Sequence, residues 1–381
     1  MAHSFYRIPG GEDRYVSQQV DLLSTEHVVD LLAGTNESLR PGPGTAARMI
    51  YSPGKKKEVA EAIRRFRPDV IHLHNTYPAL GPAVHLAAHE LRVPVIMTVH
   101  NFRLRCPNGY MFTEGSPCRR CERGAYFNAA IHRCFPTRTQ AVAYATALWA
   151  HRFVQRLDRK IALFITPSTF MRERLLDWGL PRQRTEVVPH FVETPLDASS
   201  RPGSFGAYVG RLSAEKGLDV LLHALRLAGD PPFRIVGEGP IRQGLGVLAE
   251  RLALRNTKFL GRLAGDALAH VFAQARFCVM PSLWDENFPM AMLEAMAAGR
   301  PVVVSRMGGL PELAEGGSGV IFEPGDPEDL AAKIRSLMTD DDLCLRAGSR
   351  GLALARDRFA PEAHLARLEH VYARVSEEAR T

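Results

Sequence analysis

The chain has 381 residues, of which 46% are hydrophobic and 23% charged, with a formal net charge of +7. This length exceeds that at which one hydrophobic core usually splits, so we predict two domains. The apolar stretch 141–150 is too short for the roughly 20 residues of a membrane span, and the first residues lack a secretory pattern. We therefore expect a cytoplasmic protein rather than a membrane-spanning or secreted one.

Regularly spaced apolar runs predict a succession of buried strands. In the first half they are residues 70–73, 94–99 and 161–165, and in the second 206–209, 233–236, 277–280 and 301–304. Helical patterns such as 56–66 and 266–275 lie between them. This alternation predicts two α/β domains with parallel sheets and crossover helices.

A stretch rich in Pro, Ser and Gly, residues 193–204, predicts the linker between the domains. The N-terminal domain is then 1–192 and the C-terminal domain 205–360, followed by a final helix within 361–381. Several polar residues and glycines follow the ends of predicted strands: His100, Arg211, Gly237 and Glu286. Ligands in such sheets bind beyond the carboxyl ends of the strands, so we expect these residues to face one cleft.

Charge is distributed unevenly between the two halves. Residues 1–190 contain 26 Lys or Arg against 16 Asp or Glu, and the remainder contains 22 against 25. A basic half favours an anionic partner such as a phosphorylated lipid on an anionic membrane face, with ordinary solubility charge as the alternative. Residues 141–153, with Trp149, are interpreted as a core helix, and a membrane-interface helix is the alternative.

Four of the six cysteines fall in a loop-like insertion at about 103–138: Cys106, Cys118, Cys121 and Cys134. The two-residue spacer between Cys118 and Cys121 suits tetrahedral thiolate ligation, and disulfides are disfavoured in the cytoplasm. A structural zinc is therefore predicted. Thiols without metal, buried or transiently oxidised, are the alternative.

Two cations meet at a predicted strand-to-helix turn in the segment 210–217. Arg211 offers a planar fork and Lys216 a point charge, a pairing suited to a diphosphate whose charge grows as it leaves. A surface ion pair with Glu215 is the alternative.

In the segment 284–296 the carboxylates of Glu286 and Glu294 stand eight positions apart, on either side of a predicted helix start. Pro289 suits the first helical turn, with Asn287 or Phe288 at the cap, and the exposed amides there attract phosphate. Eight residues of helix span roughly 12 Å, too far for a glycosidase pair, so the acids would hold opposite ends of one long ligand. A solvated amphipathic helix is the alternative.

These residues resemble the retaining nucleotide-sugar glycosyltransferases of family 4, which have the GT-B fold of two Rossmann-like domains facing a central cleft. The matching pieces, in the order of the family, are Gly10-Gly11-Glu12, Thr98-Val99-His100-Asn101, Thr166-Pro167-Ser168, Gly210-Arg211 with Lys216-Gly217, Val236-Gly237-Glu238-Gly239, and Glu286 with Glu294. The resemblance covers nearly the whole chain, and it implies that the final helix, within 361–381, crosses back onto the N-terminal domain.

The resemblance implies a transferase whose N-terminal half holds the acceptor and whose C-terminal half holds the donor. The catalytic group would be His100, Arg211, Lys216 and Glu286. Donor binding would involve Gly10, Gly11, Gly237, Gly239, Arg262, Asn287, Phe288, Pro289 and Glu294. A strand-end histidine with a purely structural role is the alternative for His100.

No cofactor is expected at the reaction centre, because the acidic cluster 340–342 is interpreted as a helix cap and solvated face. The expected partners are a UDP-, GDP- or dTDP-sugar and a glycan or polyprenyl-phosphate-linked acceptor of a surface polysaccharide or glycolipid, with the protein peripheral on the inner membrane face. A GT-B epimerase or phosphorylase is the near alternative. A zinc-containing nucleic-acid-binding protein is the distant one, and no recognition helix supports it, so no nucleic-acid partner is expected. A dinucleotide dehydrogenase is excluded because Gly244 follows Gly239 by five residues rather than three.

Overall fold

The computed structural model describes residues 1–8, 10–36, 42–196 and 198–380. Two compact units divide the chain. The N-terminal unit comprises 1–114, 118–189 and the residues from Leu365 onward, and the C-terminal unit comprises 115–117 and 190–364. The predicted linker 193–204 contains Asp197, which lies outside the described residues.

The first half of the chain contains eight strands in its described residues. In chain order they are β1 (Ala2–Phe5), β2 (Leu32–Thr35), β3 (Ile71–Leu73), β4 (Val95–Thr98), β5 (Phe112–Thr113), β6 (Ser116–Pro117), β7 (Leu163–Thr166) and β8 (Thr185–Val187). Six of them form a parallel sheet in the order β2-β1-β3-β4-β7-β8, and β5 and β6 form a small hairpin.

Helices connect these strands as crossovers. They are α1 (Gly11–Leu23), α2 (Pro43–Ile50), α3 (Pro53–Phe66), α4 (Ala83–Glu90), α5 (Asn128–Ile131), α6 (Arg138–Trp149) and α7 (Thr169–Asp177). A π-helical turn, Ala150–Val154, continues α6.

The second half contains a second six-stranded parallel sheet. Its strands are β9 (Phe205–Val209), β10 (Phe233–Val236), β11 (Thr257–Gly261), β12 (Ala275–Met280), β13 (Val302–Ser305) and β14 (Gly319–Phe322). They lie in the order β11-β10-β9-β12-β13-β14. The order therefore reverses between β9 and β12, the switch point at which Rossmann-like sheets bind ligands.

The helices of the second half cover this sheet. They are α8 (Leu218–Leu227), α9 (Arg242–Arg251), α10 (Gly265–Gln274), α11 (Met290–Ala297), α12 (Pro311–Ala314), α13 (Pro327–Thr339) and α14 (Asp341–Asp357). The last helix, α15 (Pro361–Arg380), begins in the C-terminal unit, and its residues from Leu365 belong to the N-terminal unit.

Each unit has its own apolar core. In the N-terminal unit, Ile96 and Ile165 of the central strands form one buried cluster with Leu368, Val371 and Val375 of α15. In the C-terminal unit, β9 and β12 are buried along their whole length. Strands buried on both faces are apolar throughout, which is why the apolar runs of the sequence predicted them.

The structure confirms two parallel-sheet α/β domains and places every predicted strand within two residues of its expected ends. The apolar runs did not reveal β2, β8, β11 and β14, which include polar or small residues: Leu32–Thr35 has one buried position in four, and Thr257–Gly261 has none. Edge strands need not be apolar on both faces. The short strand β1 is buried over three of its four residues and lies between β2 and β3.

Candidate active site

The two loops that meet at the switch point of the C-terminal sheet hold most of the predicted site residues. Gly210 and Arg211 directly follow β9, and the loop 281–289 follows β12, the strand beside it. Residues that are far apart in the chain therefore lie together. Backbone contacts tie the loops to each other, since Leu283 N–H donates to the Glu215 carbonyl at 2.8 Å.

Glu286 is the centre of this arrangement. Its Oε1 accepts hydrogen bonds from the Lys216 ammonium, from the Ser282 hydroxyl at 2.5 Å and from the Trp284 indole N–H at 2.8 Å. The Lys216 ammonium also lies over the Trp284 ring, 5.4 Å from its centroid. The carboxylate is buried, so these donors supply the polar contacts that water would otherwise make. The result is a fixed cation held beside a fixed carboxylate.

Arg211 makes the ion pair that was the alternative interpretation, at 2.8 Å from Glu215. Its Nε also donates to the Ser213 hydroxyl at 3.2 Å, and that hydroxyl donates to Glu215 at 2.6 Å. Burial would raise the pKa of Glu215, but Ser213 and Arg211 outweigh burial and lower that pKa. The guanidinium is about half exposed, so the pair orients Arg211 while leaving it accessible.

Close backbone approaches explain the glycines around these loops. Gly237 has φ +136, and a Cβ there would lie 1.9 Å from the Gly210 carbonyl oxygen. A Cβ on Gly239 would lie 2.2 Å from the Leu212 carbonyl oxygen. Both glycines therefore pack the loop after β10 against the Arg211 loop. Arg262 is exposed directly after β11.

The helix start in the segment 284–296 differs from the prediction. α11 begins at Met290, and Pro289, with ψ 123, is its N-cap. Neither Asn287 nor Phe288 is the cap, because the extended ψ of Pro289 delays the first helical residue. Glu294 lies inside α11 as predicted and is half-buried.

The side chain of His190 contacts the backbone of this loop. One of its ring nitrogens, Nδ1, lies 3.2 Å from the Phe288 carbonyl oxygen, so the neutral ring can donate to it. Burial, together with the nearby His364, lowers the pKa of His190 to about 3. The side chain is therefore neutral at physiological pH and positions the backbone of 286–289.

In the N-terminal unit the predicted glycines open helix α1. Gly10 is its N-cap and donates its N–H to Asp13 at 2.9 Å, and Gly11 is its first residue. Both are exposed, and a Cβ on Gly10 would meet no atom within 4 Å. Asp13 also lies 2.9 Å from His3 on β1, which fixes the start of the helix against the sheet.

His100 belongs to a stack of histidines at the ends of β3 and β4. His74 Nδ1 and His100 Nε2 lie 2.8 Å apart, and the two rings stack at 5.2 Å. His72 stacks on His74 and hydrogen-bonds Thr98 and Tyr372. Burial, followed by the neighbouring histidines, lowers the pKa of His74 well below its usual value. The neutral His74 therefore orients His100.

A cavity in the N-terminal unit adjoins this stack. Its walls combine apolar side chains such as Leu148 and Ile161 with the polar groups Glu12, His74, Tyr77, His100, Arg103 and Arg105. Buried polar atoms on five of the lining residues have no hydrogen-bond partner in the described residues: Glu12 Oε1, His74 Nε2, His85 Nδ1, Arg103 Nε and Arg105 Nε. Buried polar groups are normally paired, so this cavity has the character of a polar ligand site.

The four insertion cysteines all line a second, smaller cavity, together with His132. None of them forms a disulfide. As the side chains stand, no three His, Cys, Asp or Glu groups within the described ranges are arranged to hold a metal ion. The thiols thus share a cavity without being gathered as ligands.

Sequence reasoning did not identify Ser282 and Trp284 as partners of Glu286, nor Glu12 and Arg103 as cavity residues. Trp284 and Glu12 lie within two residues of the predicted site residues Glu286 and Gly11. This position in the sequence could have identified both as site residues. Arg103 gave no such signal, because its place in the cavity depends on how the segment after β4 folds back, with Phe102 N–H bonded to the Gly109 carbonyl.

No helix in the described ranges combines the length and apolar character that crossing a membrane requires.

Comparisons with known proteins agree with this fold. The family model described as Glycosyl transferases group 1 matches residues 203–353, and the one described as Glycosyltransferase Family 4 matches 10–195. A D-inositol 3-phosphate glycosyltransferase of Segniliparus rotundus is 32% identical over 347 residues, 88% of this chain and 72% of that protein. An uncharacterized glycosyltransferase of Methanocaldococcus jannaschii is 26% identical over 86% of this chain and 80% of its own.

Among solved structures, Anabaena HepE in complex with UDP and glucose is similar, with a TM-score of 0.67 and 22% identity. The similarity covers 98% of this chain and 99% of HepE.

Proposed function

Since this chain belongs to the family 4 glycosyltransferases and has the GT-B fold, we propose that it is a retaining hexosyltransferase. It would move the sugar of a nucleotide-sugar donor onto a glycan or lipid-linked acceptor, in the synthesis of a surface polysaccharide or glycolipid. The observation that carries the proposal is the Lys216–Glu286 pair beside Arg211 at the switch point of the C-terminal sheet.

The donor side of the proposal rests on the charges of this site. Breaking the bond between sugar and diphosphate leaves negative charge on the leaving oxygens, and fixed cations stabilise such charge without reorganising. Lys216 is fixed by Glu286 and Trp284, and Arg211 by Ser213 and Glu215. No protein nucleophile and no metal ion at the reaction centre form part of this mechanism.

Glu286 and Glu294 would bind the two ends of the donor. Only one oxygen of Glu286 is occupied by the contacts of Lys216, Ser282 and Trp284 described above. A carboxylate held in this way can accept hydrogen bonds from the hydroxyl groups of a sugar. Glu294, inside α11, would accept hydrogen bonds from the hydroxyl groups of the ribose. HepE has been crystallised with UDP-glucose as well as with UDP, which makes a UDP-hexose the first donor to test.

The acceptor would occupy the cavity of the N-terminal unit. Its buried polar atoms without partners require hydrogen-bonding groups, which the hydroxyls of a sugar supply. Arg103, Arg105 and Arg152 line it as well, and arginine forks suit phosphate oxygens. The apolar wall suits the chain of a lipid. A polyprenyl-phosphate-linked acceptor combines these three features.

Exposed apolar side chains on or next to α5, α6 and the π-helical turn support attachment to a membrane surface. They are Phe127, Ile131, Val142, Trp149, Phe153 and Val154. The opposite side of α6 is buried through Ala141, Ala145 and Leu148, so the helix is both a core and a surface element. Residues 118–160 contain nine Lys or Arg against two Asp or Glu, which favours anionic lipid.

A donor panel tests the function directly. Purified protein is incubated with UDP-, GDP- and dTDP-hexoses, and each accepted donor should raise the melting temperature by mass action. Transfer to a short-chain polyprenyl-phosphate-linked acceptor is then followed, with the anomeric configuration of the product read by NMR. Retention is expected. Inversion, or an epimerised or phosphorolysed donor without transfer, would contradict the proposal.

The two glutamates should respond differently to loss of charge. Glu294→Gln is expected to weaken binding of free UDP about tenfold, because a charge-assisted bond to ribose becomes a neutral one. Glu286→Gln should leave free UDP unaffected and weaken the UDP-hexose. Calorimetry with both ligands measures this; equal effects of both variants on UDP would refute the division of roles.

Membrane attachment is tested by cosedimentation with vesicles of phosphatidylglycerol or phosphatidylcholine. The wild-type protein should bind the anionic vesicles, and Trp149→Ser with Phe153→Ser should reduce binding at least tenfold. Val247→Ser is the matched control, since Val247 is similarly exposed on the C-terminal unit. Unchanged binding of the double variant would show that Trp149 and Phe153 are not part of the attachment site.

A further inference from the structure

The insertion between β4 and α6 contains little regular secondary structure. Its regular structure consists of two strands of two residues each and the four-residue helix α5. One apolar cluster joins Cys121 and Tyr126 to Ala145 and Leu148 of α6, and Phe102, Met111 and Ala129 are also buried. Small segments with little regular structure are often cross-linked by disulfides or by a metal ion.

The backbone brings all four cysteines of this insertion to one cavity. Cys106 and Cys121 occupy matching turns: a glycine with positive φ stands three residues after each, Gly109 and Gly124, and its N–H donates to the carbonyl of the cysteine at 3.0 and 2.9 Å. Burial raises the pKa of the Cys106 thiol, and the backbone N–H groups of Asn108, Gly109 and Met111 that point at its sulfur oppose this effect.

The charge of the insertion favours a thiolate cluster. Residues 105–134 contain five arginines and two glutamates. Four thiolates on a divalent ion carry a net charge of −2, which these cations offset. Existing bonds to the sulfurs are weak at three positions: Cys118, Cys121 and Cys134 have polar contacts of 3.6 to 3.7 Å.

We propose that Cys106, Cys118, Cys121 and Cys134 bind one zinc ion that cross-links the insertion. Structural zinc sites are almost always tetrahedral, and four thiolates are one of their common ligand sets. The thiols are not gathered as ligands in the present arrangement, so binding requires rotation of their χ1 angles, which moves the sulfurs while the backbone turns stay in place. Zinc binding at this site does not require the proposed transferase activity.

The bound zinc ion would also stabilise one wall of the larger cavity of the N-terminal unit. Cys106 N–H donates to the carbonyl of the fully buried Phe102 at 2.9 Å, and Arg105 lines both cavities. Loss of the ion should therefore loosen residues 100–111, which form one wall of the cavity.

Elemental analysis of the full-length protein, purified under reducing conditions without added metal, tests the site. About one equivalent of zinc is expected, and Co²⁺ exchanged into the protein should show the absorption bands of tetrahedral thiolate ligation. Cys118→Ser should lower the zinc content at least fivefold, while Cys344→Ala, at a buried cysteine of α14, should retain it. Wild-type protein treated with a chelator should exchange its amides faster in 100–134 than untreated protein.

Less than a tenth of an equivalent of zinc with four freely titrating thiols would overturn the proposal. So would a mass four hydrogens lower than that of the reduced chain under mild oxidising conditions with no metal bound, because it would show two disulfides instead. The wild-type metal content decides the question even if the Cys118 variant fails to fold.

Discussion

Arg211 and Lys216 carry the same charge in different surroundings. The side chain of Lys216 is 15% exposed and pairs with Glu286, which is 6% exposed, whereas that of Arg211 is 52% exposed. Removing one partner of a buried pair leaves an uncompensated charge and costs about 3 to 5 kcal/mol. In the Arg211–Glu215 pair the cation is exposed and the carboxylate is 12% exposed, but Glu215 keeps its hydrogen bond from Ser213, so losing Arg211 should cost less stability than losing Lys216. The two residues should therefore separate catalysis from stability.

Arg211→Ala is expected to lower turnover at least about 100-fold, the effect of losing one donor to transition-state charge, with a smaller decrease in the free energy of unfolding than Lys216→Ala. Lys216→Ala should lose both turnover and stability. Adding Glu286→Gln to Lys216→Ala should restore stability but not turnover. Urea unfolding and transfer rates measure the four proteins. Lys258→Ala, at an exposed lysine of β11, is the control, and near-full activity of Arg211→Ala would refute the diphosphate assignment.

The sequence predicted Arg211 and Glu286 at strand ends and Lys216 in the turn that follows Arg211, but not the pairing of Lys216 with Glu286. Lys216 and Glu286 are 70 residues apart, and they meet because β9 lies beside β12 in the sheet. Apolar periodicity identifies strands without giving their order. The hydrogen bonds of Ser282 and Trp284 to Glu286 follow from the same neighbourhood, so they too required the structure.

At the scale of elements, glycines set how closely loops approach Glu286. Gly308, between β13 and α12, has φ +59, and a Cβ there would lie 2.1 Å from the Glu286 carbonyl oxygen. The next residue, Gly309, donates its N–H to that oxygen at 2.7 Å. The loop after β13 therefore holds the backbone of Glu286 in place.

Gly308→Ala is expected to destabilise the protein by more than about 2 kcal/mol, because a left-handed backbone costs roughly 1 to 2 kcal/mol and the clash adds to it. Affinity for the sugar-bearing donor should fall as Glu286 moves. Gly244→Ala in the first turn of α9, where a Cβ meets nothing within 4 Å, should instead stabilise by roughly 0.5 kcal/mol. Thermal unfolding of both variants checks this; equal melting temperatures would contradict the close packing.

His190 makes the same loop sensitive to acid. Its pKa is about 3 in the folded state and about 6.5 in an unfolded chain. Between these values the unfolded state binds more protons, so stability is fully present above about pH 6.5 and falls as the pH drops. From pH 7 to pH 5 this one group should cost about 2 kcal/mol, since one pKa unit is 1.36 kcal/mol.

Replacing His190 by Asn removes the titration, while the amide can still donate to the Phe288 carbonyl. Between pH 7 and pH 5 the free energy of unfolding of His190→Asn should therefore fall by about 2 kcal/mol less than that of the wild type, as measured by urea unfolding. The buried His85 and His151, whose pKa values burial lowers to about 3 and 4, are present in both proteins and cancel. Identical pH dependence in the two proteins would show that His190 is not held neutral by the fold.

At the scale of the whole molecule, the length and the two series of strands were enough to predict two α/β domains. The sequence pattern alone gave the final helix no place in either sheet, and the resemblance assigned it to the N-terminal domain. In the structure Leu368, Val371 and Val375 are buried with Ile96 and Ile165. A helix pattern marks which side chains are apolar but not which distant strands they cover.

Because each unit has its own core, a core mutation should loosen one unit before the other. Leu368→Ala in α15 should cost about 2 to 5 kcal/mol and speed amide exchange in β4 and β7, while β9 and β12 stay protected. Leu222→Ala, fully buried in α8 of the C-terminal unit, should have the opposite pattern. Hydrogen exchange followed by mass spectrometry distinguishes the two variants. If either variant accelerates exchange equally in both sheets, the two units unfold as one cooperative body. In that case the C-terminal end of α15 stabilises both units and not the N-terminal core alone.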